Sequence, residues 1–401
     1  MLLAVLAGAG CVHPLAGGGS GNGARLTPVD LSTIRGANYF AAGATNTTGF
    51  WVHYDPAETR RDLAYADRLH LNQLRVFVNY AAWHLDPATF RRNLVDLAHA
   101  AREHHIGLMI TVGDTRSFIG KDGTINRAQI HELAGGLVDI LGGEPALAFW
   151  DASNEPDYNA PGSPGDQEAK RFEIASQFAA ELHAVDKTTP VTIGMCYETN
   201  MEAFASVVDV LSFHDYLPTR AAISNDIVRA KAFAAKTGKQ VMDTETGCVA
   251  RANPYDVTLE EHMRAHVGWY IWELMITKHW GDVHGVFYPD GTVRDPAIPA
   301  AILGFFRNRG ADVVLERPDR EGHVAGTIAD ARRWLANPNG DWNNGLAAAE
   351  TAANLLESAQ LVPLHELPTR QVDLLRRGPE DRPALRALLE KEILALQPFQ
   401  Q

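Results

Sequence analysis

Two glutamates of this chain stand in matching local settings. Glu155 follows the apolar run Ala146-Leu-Ala-Phe-Trp150, which turns polar at Asp151 and continues through Ser153 and Asn154 to Pro156 and Tyr158. An apolar run of that length that turns polar abruptly reads as a buried strand emerging into a loop. Pro156 cannot donate to a ladder and biases its predecessor towards extended backbone, so Glu155 is expected to be extended, at the rim of a sheet and outside any helix. Ninety residues on (245 minus 155), Glu245 ends the run Gln240-Val-Met-Asp-Thr-Glu245, just before Gly247. Two carboxyl groups delivered to one place can divide acid and base work, one kept protonated and the other ionised. A lone Asn-Glu-Pro would read as a loop with a solvated carboxylate. The second carboxylate in the same setting makes the pair a candidate site.

The elements that must position this pair repeat along the chain. Strand-like runs are expected at Ile34 to Tyr39, Gln73 to Val78, Leu108 to Val112, Leu147 to Ala152, Val191 to Met195, Val208 to Phe213, Gln240 to Thr244 and Trp269 to Leu274. Helix-length segments separate them. Phe90, Leu94, Leu97, Ala98 and Ala101 recur at helical spacing, as do Phe172, Ala175, Ala179 and Leu182. Alternating βα units imply a parallel sheet, and eight of them favour closure into a (β/α)8 TIM barrel of about 250 residues over a doubly wound sheet. No Gly-rich dinucleotide or phosphate loop follows the first strand. A Pro-Asp-Gly turn in Gly285–Val293 predicts a hairpin after the eighth strand, and Pro296 to Arg309 reads as the closing helix. From residue 318 the composition shifts to Ala, Leu and Arg, and Leu385, Leu388, Leu389, Ile393 and Leu396 mark an amphipathic face. The expected organisation is therefore residues 1–23 as an export segment, 24–317 as the barrel and 318–401 as a C-terminal helical extension. That extension is expected to dock on the barrel, because the stripe would otherwise be exposed.

In a barrel of this kind chemistry sits at the C-terminal ends of the strands. Polar residues gather there: Arg75 on strand two, Asp114 after strand three, Asn154 and Glu155 after strand four, His214, Asp215 and Tyr216 after strand six, Asp243 and Glu245 on strand seven, and Trp272 on strand eight. Each alone suits a structural role, Arg75 as an ion-pair partner, His214 as a core histidine and Trp272 as barrel packing. Their order and placement together resemble the retaining glycoside hydrolases of the cellulase and mannanase type, family five and its clan relatives. The match covers roughly residues 33 to 310, and the opening Arg35-Gly-Ala-Asn-Tyr-Phe40 looks like the first strand of such enzymes. The resemblance implies Glu155 as acid/base, Glu245 as nucleophile, Asn154 on the sugar 2-hydroxyl, Arg75 and Tyr216 orienting Glu245, and Trp272 as the floor of the central subsite. His214 and Asp114 join them as substrate-binding residues, although many relatives have a histidine where this chain has Gly113-Asp114-Thr115. On this reading the Arg75 charge favours ionised Glu245, and the Glu245 charge raises the pKa of Glu155.

The remaining features bound the reading. The net charge is −13, with 36 Lys and Arg scattered among 49 acids and no basic run, which disfavours nucleic acid as a partner. Leu2 to Gly10 is apolar but too short to span a bilayer. It is similar to a bacterial lipoprotein signal, with Cys11 as lipid anchor and Ala16 to Gly23 as tether. An ordinary signal cut after Ala7-Gly8-Ala9 and a frayed cytoplasmic terminus are the other readings. Cys196 and Cys248, at the ends of strands five and seven, would lie roughly 10 Å apart, beyond the reach of a disulfide, so two free, largely buried thiols are expected. Met263 stands between His262 and His266 where a zinc-protease helix needs Glu, and His104-His105 suits a helix C-terminus. His279 and His284, in the last loop, could touch substrate. The expectation is an exported, monomeric, retaining β-glycosidase acting on an oligo- or polysaccharide of β-glucan or β-mannan type, with no metal and no cofactor. The other class is a non-catalytic carbohydrate-binding or scaffold protein on the same barrel. A buried acid pair costs desolvation that a binding module does not recover.

Overall fold

The computed structural model describes residues 26–113, 115–158, 165–281, 283–306, 318–337, 339–358 and 379–397, with Val372 and Leu375. The export segment with Cys11, and Asp114, lie outside these residues. The chain divides into two compact units, Met1–Arg307 and Asn308–Gln401.

The first unit is a closed barrel of eight parallel strands in sequence order. They are β1 (Arg35–Tyr39), β2 (Gln73–Val78), β3 (Gly107–Val112), β4 (Leu147–Asn154), β5 (Val191–Met195), β6 (Leu211–Asp215), β7 (Val241–Thr246) and β8 (Gly268–Ile271), and β8 pairs back onto β1. Every residue of β2, β3, β5, β7 and β8 is buried. That is why these segments read as continuous apolar runs: one face fills the barrel and the other is covered by helices. Met109, Phe149, Met242 and Tyr270, with Leu31 and Ile34, pack into one apolar cluster. The helix Pro87–Glu103 buries Phe90, Leu94, Leu97, Ala98 and Ala101 as its periodicity predicted, and Asp86 caps it by accepting the Thr89 N–H. In the helix Gly165–Val185 the buried face runs through Ile174, Ala175, Phe178, Ala179 and Leu182, while Phe172 is only partly buried.

Several boundaries differ from expectation. Strand six begins at Leu211 and not at Val208, because the lead-in is tied sideways: Asp209 accepts the Val191 N–H at 2.8 Å. His214 and Asp215 therefore belong to the strand itself. Strand eight stops at Ile271, and the Trp272 N–H turns to the Thr246 carbonyl at 2.7 Å, next to a cis Trp272–Glu273 peptide. The expected hairpin is present, with Phe287 bridged to Val293 and Gly291 at φ +82° in its turn. The closing helix is shorter than expected, Ala297–Ile302. Register shifts occur beside both glutamates, between Asp151 and Asn154 against β5, between Phe213 and His214 against β7, and between Asp243 and Thr246 against β8. Such irregularities re-aim side chains where strands leave a barrel.

The second unit contains helices at Pro318–Leu335, Trp342–Ser358 and Arg382–Leu396. Leu385, Leu389 and Leu396 are buried with Ile328, Ala349 and Ala353 of the same unit. The stripe that suggested docking on the barrel thus finds its cover among the unit's own helices.

Gly194, in β5, shows how tightly the polar end of the barrel is packed. A Cβ there would stand 2.9 Å from Arg75 Nη2 and from His214 Nε2, and 3.4 Å from Asp151 Oδ2. Arg75 is fully buried and cannot swing aside. Gly194→Ala is therefore expected to destabilise the barrel by about 1–3 kcal/mol through overpacking, read as a lower denaturation midpoint with an unchanged denaturant slope.

Candidate active site

Arg75 is the centre of the polar cluster. Its Nη1 donates to Glu245 Oε1 at 2.6 Å and to Asn38 Oδ1 at 3.0 Å. Nε and Nη2 both donate to Asp151 Oδ2, at 2.9 and 2.7 Å, and Nη2 also donates to Asn154 Oδ1 at 2.7 Å. Asp151 is held in turn by the Gly194 N–H at 3.0 Å and the Thr111 hydroxyl at 3.1 Å. Six strands, β1, β2, β3, β4, β5 and β7, are thereby tied together by one guanidinium and its partners.

Glu245 is buried, and its second oxygen accepts the Tyr216 hydroxyl at 2.9 Å. Tyr216 keeps its proton, because burial and the nearby charges of Glu245 and Glu155 push its pKa well above 10.0. Glu155 is at the end of β4 and donates its N–H to the Gly194 carbonyl at 2.7 Å. Its backbone differs from the expectation drawn from Pro156: φ is +45°, in the left-handed region. A non-glycine residue there is strained, and such strain persists where surrounding contacts over-determine it. Here those contacts are the Gly194 carbonyl, a turn bond from the Tyr158 N–H to the Glu155 carbonyl at 3.1 Å, and His214 Nδ1, 2.8 Å from Glu155 Oε1.

His214 also lies 3.6 Å from Glu245 Oε2, and one ligating atom from each of Glu155, His214 and Glu245 lies within 4.8 Å of the other two. Burial lowers the His214 pKa, but the charge of Glu245 and the contact with Glu155 outweigh it and hold the imidazole above its ordinary 6.5. This reverses the expected order of the carboxylates in the ligand-free site. Burial pushes Glu155 up, yet the hydrogen bond and charge of His214, with Arg75 and Arg251, bring it below its ordinary 4.5. Burial holds Glu245 above that value, opposed by His214 and Arg75 and reinforced by the charge of Glu155.

Glu155, Glu245, Asn154, Tyr216 and Trp272 line one cavity of about 330 Å³, together with Phe40, Thr47, Phe77, Gly113, Tyr158, Arg251, His279, Trp280 and His284. The Trp272 ring meets Phe77 edge-on, with centroids 5.5 Å apart, and Phe40 at 6.4 Å. His279 and His284, raised from the sequence as last-loop residues that could touch substrate, are both in this wall. Arg75 and His214 stand behind the lining, buried against the two glutamates. Cys248 is buried and Cys196 is partly exposed, and both are free thiols.

Asn38, Asp151, Gly194, Arg251 and Glu273 were not singled out as site residues from sequence. Asn38 is inside the quoted opening strand and Asp151 is where the apolar run turns polar, so both carried a signal. Arg251 carried none, because its loop follows β7 without any pattern; its guanidinium lies over the Tyr216 ring at 4.6 Å. Glu273 is buried, and desolvation raises it to about 8, so it is neutral at pH 7.

No family profile and no curated relative matches the sequence. Solved structures do match in fold. A broad-specificity endoglucanase of family five, subfamily four, from Clostridium acetobutylicum is similar over 68% of this chain and 98% of its own, at 10% identity and a TM-score of 0.55. A family-five, subfamily-18 protein of Streptomyces cattleya in complex with GlcNAc covers 67% and 79%, at 14% identity and a TM-score of 0.53. An exo-β-1,4-mannosidase from Opitutaceae bacterium strain TAV5 covers 67% and 57%, at 17% identity and a TM-score of 0.52. The unit Met1–Arg307 thus carries the (β/α)8 barrel fold found in the glycoside hydrolases of family five.

Proposed function

We propose that this chain is a retaining β-glycoside hydrolase acting on a β-linked glycan or oligosaccharide, of β-glucan or β-mannan type, by double displacement. The observation that carries the reading is the convergence of Glu155 and Glu245 at the wall of an aromatic cavity with His214 behind them, one ligating atom of each lying within 4.8 Å of the others. Carboxyl groups about 5–5.5 Å apart suit a nucleophile and an acid/base, whereas inverting enzymes keep about 6.5–9.5 Å for a water between them.

Each side chain has a task in that reaction. Glu245 attacks the anomeric carbon; Arg75 Nη1 and the Tyr216 hydroxyl hold its two oxygens, and neither donates to Glu155. The proton for the leaving oxygen comes from the Glu155 and His214 pair. A proton on Nδ1 is one 2.8 Å hydrogen bond from Glu155 Oε1, and its transfer leaves neutral imidazole beside a protonated acid. A sugar that covers the cavity removes water from the carboxyl groups and favours that neutral arrangement. Glu155 then deprotonates the water that releases the glycosyl-enzyme. The Asn154 carbonyl oxygen is committed to Arg75, which leaves its NH2 for the 2-hydroxyl of the sugar, and Trp272 offers an aromatic face to the ring.

A panel of aryl β-glycosides tests the reading directly. Glu245→Ala should lower kcat by at least about a thousandfold on every substrate. Glu155→Ala should cost roughly 10²–10⁴-fold on poor leaving groups, spare activated aryl glycosides, and recover with azide. A first product of inverted configuration by NMR would overturn the retaining assignment, and inertness of the wild-type protein on the whole panel would overturn the hydrolase.

The pH profile follows from the same contacts. Glu245, held above 4.5, must be ionised, so activity rises as pH passes its pKa. His214, held above 6.5, supplies the proton, so activity falls once pH exceeds that raised value. His214→Gln should move the alkaline limb of kcat/KM to lower pH and, because it removes a charge that lowers Glu245, shift the acid limb to higher pH.

A further inference from the structure

A second trio stands outside the cavity lining. Asp215 ends β6, Asp243 lies within β7, and His262 belongs to the helix Tyr255–Ala265. Their exposures are 1%, 0% and 0%. Each spends one polar atom on the main chain: Asp215 Oδ1 accepts the Leu217 N–H at 2.8 Å, Asp243 Oδ1 accepts the Glu245 N–H at 2.9 Å, and His262 Nδ1 faces the Thr258 carbonyl at 2.8 Å. The last contact requires the proton on Nδ1 and leaves Nε2 with its lone pair. Among the described residues the other atom of each, Asp215 Oδ2, Asp243 Oδ2 and His262 Nε2, has no hydrogen-bond partner. His262 Nε2 is 2.9 Å from Asp243 Oδ2 without the alignment of a hydrogen bond, and one ligating atom from each of the three lies within 4.8 Å of the others.

We propose that Asp215, Asp243 and His262 hold a divalent first-row transition-metal ion, in a structural site that locks the ends of β6 and β7 behind His214 and Glu245. Three observations support it. Among the described residues no Lys or Arg is within ion-pair distance of either aspartate, so two buried carboxylates lack a cation, a placement that is costly unless charge is supplied or removed. The imidazole is oriented by its other nitrogen on a backbone carbonyl, and the carboxylates by backbone N–H groups, which is how metal ligands are commonly held. The donor set, one imidazole nitrogen and two carboxylate oxygens, suits Zn²⁺, Mn²⁺ or Fe²⁺ better than Ca²⁺ or Mg²⁺. Its two negative charges match one such ion. The placement matters because the Asp243 carboxylate takes the Glu245 N–H at the register shift of β7, and Asp215 sits between His214 and Tyr216.

The competing arrangement is a carboxylic proton shared within the trio, and titration of the full chain separates the two. After chelation and dialysis, Zn²⁺, Mn²⁺ and Co²⁺ are added singly and followed by calorimetry, by thermal unfolding and, for Co²⁺, by visible absorption. The ion site predicts one equivalent bound, with Tm higher by roughly 5 °C or more at a hundredfold excess over Kd, and a Co²⁺ spectrum. His262→Gln should lose that equivalent, and Glu155→Gln should keep it. If His262→Gln does not fold, Asp215→Asn replaces it, and the wild-type titration still decides. Absence of saturable binding together with an unmoved Tm overturns the proposal in favour of the shared proton. So does an equivalent that survives His262→Gln and is lost in Glu155→Gln, which would place the ion at the catalytic pair.

Discussion

The site depends on one buried cation. Arg75 is wholly removed from water, and its guanidinium is spent on Glu245, Asp151, Asn154 and Asn38, with Phe77 under its plane at 4.7 Å. A buried charge is tolerable only when its donors are satisfied, and a buried pair that loses one partner costs about 3–5 kcal/mol. The planar fork of arginine also fixes directions, which a lysine in its place could not do. Glu245 is thus aimed as much by the guanidinium as by its own strand, and Asn154 is aimed by a neighbouring donor of the same group.

Around this cation the charges form a graded series. The Glu245 carboxylate is held by Arg75 and Tyr216, the Glu155 carboxylate among the described residues by His214, and His214 reaches both carboxylates. The protonation states of the three groups are therefore linked. In the ligand-free site His214 Nδ1 faces Glu155 Oε1, and in the proposed hydrolysis exclusion of water by a bound sugar would favour the neutral pair. Glu155 is held at φ +45° in the same network, so backbone strain and proton placement act on one residue. The barrel tolerates this because its apolar cluster around Met109, Phe149 and Tyr270 and its helices supply the stability that the polar end does not.

Much of this was legible in the sequence, and for definite reasons. Strands buried on both faces must be continuous apolar runs, so eight of them could be located, and helices with one buried stripe must repeat at 3.6 residues. Glu155 and Glu245 stood out because each follows such a run at its polar end. The second unit's Leu385 to Leu396 stripe was visible too, but a stripe names a need for cover and not its supplier, which is the unit's own helices.

Tertiary structure decided what local pattern could not. Pro156 biases its neighbour towards extended backbone, yet three contacts from β5, β6 and the next turn hold Glu155 in the left-handed region. The order of the carboxylate pKa values reversed because His214, 59 residues from Glu155 in sequence and contributed by another strand, lies 2.8 Å from its carboxylate. Arg251 entered the cavity through a loop without periodicity, and His262 found Asp215 and Asp243 instead of His266. Periodicity reports which face of an element is buried, since burial is a property of the element. Which polar groups meet inside is a property of closure, and it appears only when β8 returns to β1.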